Sequence, residues 1–320
     1  MNLPDELDQI IQNKIANNKS FEALSSNAKS ISERYRNNAN SGTRLLTKSD
    51  EAIAYSLARM PATYGAVYTA LSSALENADS SINTVFDIGA GTGAGTWAAY
   101  EMLGNKNFVC YEREDAMIEI GEKIMSHQKD LSSAEWQKFD IVNDIFSKKC
   151  DLSIVSYMIN ELPKEHVLEV ISKIWSATNE VMLIVEPGTP TAFENIKTIR
   201  QHLIDNGGFI VSPCTHQNKC EIAADDWCAF SCRVQRAKLH KMLKEGDAPF
   251  EDEKFSYIAF SKKPVHCAEA RILRHPIINK GYSEFKVCTP DGIKNIKLSK
   301  KDGEKYKISK KKSAGDTLEL

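Results

Sequence analysis

The chain has 320 residues, 42% of them apolar and 26% charged, with a formal net charge of −2. This suits one large globular domain with an addition and argues against a wholesale polyanion binder. No apolar run approaches the ~20 residues of a membrane span, and the acidic opening MNLPDELDQIIQNK lacks the marks of a secretory or transit peptide. A cytoplasmic monomer without membrane contact is expected.

Residues 1–78 read as helical: Ile53, Leu57 and Met60, then Tyr64, Val67 and Leu71, recur at helical spacing. Pro61 should kink or divide this segment, and RNNANSGT (36–43) reads as a loop. From residue 82 short apolar runs alternate with amphipathic stretches. TVFDIGA, FVCYERE, WQKFDIV, DLSIVSYMI and EVMLIVEPG are strand candidates. Helices are expected over about 92–103, in AMIEIGEKIMSHQ and in KEHVLEVISKIWSAT. Strand and helix alternating at this spacing predict a doubly wound parallel α/β sheet. After Gly208 the alternation stops. FSYIAFSKK and YSEFKVCTP look like short strands of a small β-rich appendage, and residues 294–312 hold nine lysines against two acids.

The run VFDIGAGTGAGTW places Gly89, Gly91 and Gly93 after the first strand, where bare backbone lets a ligand lie close to a helix N-terminus. The spacing Gly89, Gly91, Ala94 also fits a dinucleotide fingerprint. Asp87 separates the two, because a carboxylate there suits an ammonium rather than a pyrophosphate. S-adenosylmethionine (SAM) carries that ammonium and has no phosphate. Glu112, ending the second strand, can accept from both ribose hydroxyls, and Asp140 follows the third strand toward the adenine edge. After the fourth strand, SYMINELP lacks both an Asn/Asp-Pro-Pro-aromatic tetrad and a Pro-Cys nucleophile. Tyr157, Asn160 and Glu161 are candidates to orient an acceptor, or else to cap the next helix. Methyl transfer needs mainly alignment and exclusion of water, so missing acid–base residues do not exclude it.

Four of the eight cysteines lie at 214, 220, 228 and 232. The spacing is neither a zinc ribbon nor a bacterial ferredoxin, yet such density in a reducing compartment reads as metal binding. Composition leaves zinc and an iron–sulfur cluster both open. Proximity would make Cys232 the fourth ligand, and His216 is a further candidate. Arg233, Arg236 and His240, with Lys244 a turn on, fall near one face if CRVQRAKLHKMLK is a helix. Together with Lys310, Lys311 and Lys312 they form a basic surface suited to RNA phosphates, or a solvated face.

Several of these stretches together resemble one family. They are YSLARMPATYGAV, DIGAGTGAGTWAA, SYMINELP, VEPGTPTAF, CTHQNKC, DWCAFSCRVQR and VCTPDG. The chain is similar, from about residue 30 to the lysine-rich end, to the methyltransferase-like assembly factors of the mitochondrial small ribosomal subunit and their bacterial relatives. The resemblance implies a class I SAM-dependent methyltransferase-like fold with a [4Fe-4S] cluster on Cys214, Cys220, Cys228 and Cys288, leaving Cys232 and Cys267 free. It also implies association with small-subunit ribosomal RNA, and an Arg59 that lines the acceptor entrance or braces helices. Three segments are expected: a helical region over 1–80, a SAM-binding domain over 81–208, and a cysteine-containing, β-rich module with a basic tail over 209–320, partly packed on the sheet. Three functions compete: an rRNA methyltransferase, a non-catalytic assembly or translation factor keeping SAM and cluster as structural elements, and an NAD-linked iron–sulfur oxidoreductase.

Overall fold

The computed structural model describes residues 2–17, 19–37, 46, 48–76, 81–223, 225–243 and 248–320. The loop expected over 36–43 falls almost wholly outside them, as does Lys244.

The N-terminal region is helical: α1 (Asp5–Ile10) running into a π-turn at Ile11–Ile15, α2 (Phe21–Asn37), α3 (Ser49–Ala58) and α4 (Met60–Leu75). Pro61 divides α3 from α4 at Arg59, since it has no N–H to give and its ring would strike the carbonyl one turn back. It sits instead in the first turn of α4, where no partner is needed.

The large sheet contains β1 (Thr84–Ile88), β2 (Asn107–Glu112), β3 (Glu135–Lys138), β4 (Cys150–Ser156), β5 (Thr178–Pro187), β6 (Phe209–Ser212), β7 (Phe230–Gln235) and β8 (Phe250–Ser261). Its order is β3-β2-β1-β4-β5-β8-β6, with β7 also on β8. The first five strands are parallel, and β8 runs antiparallel to β5, β6 and β7. Helices α5 (Ala94–Leu103), α6 (Asp115–Met125), α7 (Val167–Ala177) and α8 (Pro190–Asp205) cross between strands. Alternate residues feed two cores. Val85, Leu152 and Leu183 face α4, α5 and α6, while Phe86, Val155 and Ile184 face α7 and α8. Apolar cover on both faces explains why the strands read as unbroken apolar runs. This is a doubly wound α/β fold of the class I methyltransferase type, and its order reverses between β1 and β4, where such sheets bind ligands.

The stretch FSYIAFSKK corrects the sequence reading, for it belongs to β8 and not to the appendage. Residues 255–261 of β8 are buried, with Phe255 and Ala259 in one core and Ile258 and Phe260 in the other, as befits a strand inside a sheet. A second, antiparallel sheet contains β9 (Ala270–Ile272), β10 (Ile277–Asn279), β11 (Tyr282–Thr289), β12 (Gly292–Ser299) and β13 (Thr317–Leu318). Its core holds Phe285, Val287, Leu298 and Tyr306. The lysine-rich stretch is not a tail. It folds as β12, a 3-10 turn capped by Ser299 and Asp302, and α10 (Gly303–Ser309).

Candidate functional site

At the carboxyl ends of β1, β2 and β4 lies a cavity of about 280 Å³. Gly89 leaves β1 at φ 68°, a left-handed conformation, and a Cβ there would stand 2.7 Å from Met158 Cγ. Its N–H donates to Tyr111 O at 2.9 Å, and Gly91 N–H donates to Glu112 Oε2 at 2.8 Å. The other Glu112 oxygen accepts from Arg113 N and Glu114 N. Burial raises the Glu112 carboxyl above its usual range against the pull of these three donors.

Of the residues expected to bind or act on a ligand, Gly89, Gly91, Glu112, Asp140, Tyr157 and Glu161 line this cavity. Asp140 accepts from Val142 N and Asn143 Nδ2. Asp87 is placed differently. It lies beneath the glycine loop, where Oδ2 accepts from Thr96 N and Thr96 Oγ1 at 2.7 and 2.9 Å. A carboxylate is favoured there by the start of α5, and burial pushes the group up to about 7. Gly93 sits just ahead of α5. Asn160 turns from the cavity to accept from Asn195 Nδ2.

Tyr157 is, among the described residues, the one non-glycine with positive φ, 57°. Such strain persists only where the surroundings over-determine it. Here the backbone N–H donates to Val185 O and the hydroxyl donates to Glu253 Oε1 at 2.8 Å, a carboxylate also 3.4 Å from Arg59 Nη2. Glu161 is pushed up to about 8 by burial and by the neighbouring charge of Glu112. Behind the wall Glu186, fully buried, accepts from Ile159 N and Asn160 N, and burial pushes it too to about 8. Sequence reasoning missed Glu186, Glu253 and the lining residue Tyr55. Glu186 had a signal, a carboxylate ending an otherwise apolar strand. Glu253 had none, since its contact spans 96 positions.

The cysteine segment 213–229 connects β6 to β7. Both strands pair with the same edge of β8, Ser212 opposite Ala259 and Phe230 opposite Phe255, and the described residues between them form no regular element. Cys214, Cys220, Cys228 and Cys288 line one small cavity, and Thr215 Oγ1 is 3.5 Å from Cys288 Sγ. Cys232 lies buried on β7 opposite Glu253, away from that cavity. Among the described residues, no three His, Cys, Asp or Glu side chains are grouped tightly enough to hold a single metal ion. Burial pushes Cys214 up to about 11 and Cys228 well above the usual thiol value. Cys288 stays below that value because donors from His216 and Thr215 outweigh its burial.

Three arginines, two on regular elements and one in the loop after β9, grip this segment. Arg200 of α8 donates to His216 O and Asn218 O at 2.9 and 2.6 Å. Arg271 of β9 donates to Pro213 O at 3.2 Å, and Arg274 donates to Trp227 O and pairs with Asp226.

The expected basic helix is not present. Arg233 lies on β7 in a bidentate pair with Asp252, and Arg236 follows that strand, paired with Glu251. Among the described residues of that stretch only Lys238–Leu243 is helical, and its His240 is buried. Alternating buried and exposed positions in FSCRVQ show a period of two that a helical reading overlooks. Lys310 and Lys311 are exposed just past α10, and Lys312 is half-buried.

The family model described as mitochondrial small ribosomal subunit Rsm22 matches residues 49–319. The chain belongs to the Rsm22 family. A human relative, the mitochondrial ribosome assembly protein METTL17, is 23% identical over 257 residues, covering 73% of this chain and 55% of the human protein. The chain thus spans about half the length of that relative. Both descriptions are mitochondrial and overturn the cytoplasmic expectation. That expectation rested on N-terminal composition, which reports only on the residues it covers. Among solved structures, the plantazolicin methyltransferase BpumL in complex with SAH is 12% identical, with 79% of this chain and 100% of that one covered and a TM-score of 0.43. The magnesium protoporphyrin IX methyltransferase of Synechocystis PCC 6803 with bound SAM is 11% identical, with 81% and 98% covered and a TM-score of 0.42. The fold assignment rests on strand order, to which likenesses at these scores add nothing.

Proposed function

We propose that this Rsm22-family chain is a SAM-binding assembly factor of the small ribosomal subunit, carrying a four-thiolate centre that fastens its small sheet to its large one. The observation that supports it most is the charge of the cavity wall. Glu112, Glu114, Asp140 and Glu161 face it against Arg113 and His166, and Arg113 is turned onto Glu114 at 3.2 Å. Such a wall repels a pyrophosphate and favours a ligand bearing a sulfonium and an ammonium, which speaks for SAM over NAD. SAM would supply an electrophilic methyl group. Glu112 would accept from the ribose and Asp140 would meet the adenine edge, while Asp87 holds the loop's shape from below. The segment 213–229 and β11 would contribute an all-sulfur donor set from Cys214, Cys220, Cys228 and Cys288. That set suits a [4Fe-4S] cluster, which reaches thiols spaced too widely for a single zinc ion. Exposed lysines past α10 would meet ribosomal RNA phosphates.

Methyl transfer to ribosomal RNA is the second reading, favoured by Tyr157 and Glu161 on the cavity wall. Incubating small-subunit particles from cells lacking the protein with tritiated SAM and pure protein separates the two. The assembly reading expects binding to the particles without label, and incorporation into RNA would replace it with the enzymatic one.

The raised Glu161 carboxyl also fixes a pH dependence. A cationic ligand prefers the ionised acid, so binding releases a proton below the raised value of about 8. SAM affinity is therefore expected to rise severalfold from pH 6 to pH 8, with Glu161→Gln flattening the rise. Calorimetry across that range checks it, and a profile falling with pH would reverse the sign.

A further inference from the structure

The cavity formed by the four cysteines has two neighbours that thiol ligation alone does not explain. Arg200 and Arg271 both line it, and each is 3% exposed. Neither has a carboxylate partner among the described residues. Their hydrogen bonds go to backbone carbonyls, Arg200 to those of residues 216 and 218, and Arg271 to those of 213 and 315. The Arg200 Nε is buried with no acceptor at all. Carbonyls satisfy N–H groups but do not neutralise charge, and a buried guanidinium without an anion is destabilising. Glu221 does not fill the gap, being exposed at the rim and accepting from Ile293 N. Arg274 differs, since it shares the Asp226 carboxylate with Lys286 and does not line the cavity.

Both arginines are aimed at the cysteines by the fold. Arg271 stands directly across the β9–β11 pairing from Cys288 and donates to the carbonyl just before Cys214. Arg200 reaches from α8 to the backbone between Cys214 and Cys220. Four thiolates around an oxidised [4Fe-4S] core carry a net charge of minus two. Two buried guanidinium groups match that charge.

We infer that Arg200 and Arg271 are internal counterions of a doubly negative four-thiolate centre, holding it in a buried site and favouring its reduced form where the centre is iron–sulfur. The inference rests on the four-thiolate reading and assigns residues that lie outside the ligand set. They are positioning residues, acting through charge on the centre and through the backbone of its ligands. Nearby positive charge stabilises the extra electron of a reduced cluster, so its loss lowers the reduction potential.

The test uses the full chain reconstituted anaerobically with iron and sulfide. R200Q and R271Q are compared with R200K, R271K and R274Q. For an iron–sulfur centre the two Gln variants are expected to show more negative midpoint potentials and at least tenfold faster loss of iron to a chelator. The Lys variants should lie near wild type. R274Q loosens the same segment from outside the cavity, where Asp226 accepts from it, and should move the potential less than either of the other Gln variants. Gln variants matching wild type, or Lys variants failing as the Gln variants do, overturn the inference while leaving the four-thiolate reading intact. Wild-type protein that takes up no iron–sulfur cluster overturns both. The two arginines lie on separate elements, so a folding failure at one leaves the other to decide.

Discussion

Cys228→Ser is expected to strip the centre from the protein and release the small sheet from the large one. The described residues of segment 213–229 form no helix or strand of their own. Three arginines and the ends of β6 and β7 hold it, and the small sheet closes over a modest core of its own. Structural four-ligand sites of this kind contribute on the order of 10 kcal/mol of apparent binding free energy, which becomes folding free energy where no site preforms. Anaerobically purified wild type should be brown, with absorption near ~400 nm. The variant should be colourless and cut by protease within 213–229. Cys267→Ser is the control: its thiol lies outside the four-cysteine cavity, 3.5 Å from Ile210 O, and its loss should be nearly silent. Identical proteolysis of both variants and wild type would falsify the four-thiolate reading.

Gly89→Ala is expected to damage the other site. The residue sits at φ 68°, and an added Cβ would lie 2.7 and 2.9 Å from Met158 Cγ and Cβ. Left-handed strain costs about 1–2 kcal/mol, and crowding a packed wall adds about 1–3 kcal/mol. Met158 is buried beside the strained Tyr157 and its backbone lies in the turn that Glu186 anchors, so it has little room to yield. The thermal midpoint should fall by several degrees, and SAM affinity by at least tenfold, because the methyl group narrows the cavity at the loop. Gly104→Ala is the comparison. It shares a positive φ, but nothing lies within 4 Å of its added Cβ, so it should lose stability without losing affinity.

The parallel core was legible because each strand is short, apolar and followed by an amphipathic helix, so periodicity alone separates the elements. The glycine loop was legible for a local reason, since turn, ligand approach and helix start fall within ten residues. What sequence could not convey was partnership at a distance. FSYIAFSKK has the pattern of any short strand, and only its pairing with β5, β6 and β7 makes it interior. Asp87 was read from its place before the glycines, but a side chain leaving a strand has two sides to choose from, and Thr96 offers two donors on the far one. Arg233 and Arg236 looked free for RNA because Asp252 and Glu251, which pair with them, lie 19 and 15 positions on.

The central claim is that the acid-lined cavity at the ends of β1, β2 and β4 takes SAM. Isothermal titration of freshly prepared, metal-loaded full-length protein with SAM, S-adenosylhomocysteine and NAD tests it most directly. The expected result is saturable one-to-one heat with SAM, weaker binding of the uncharged-sulfur product and none with NAD. Heat with NAD alone, or with none of the three, would contradict it.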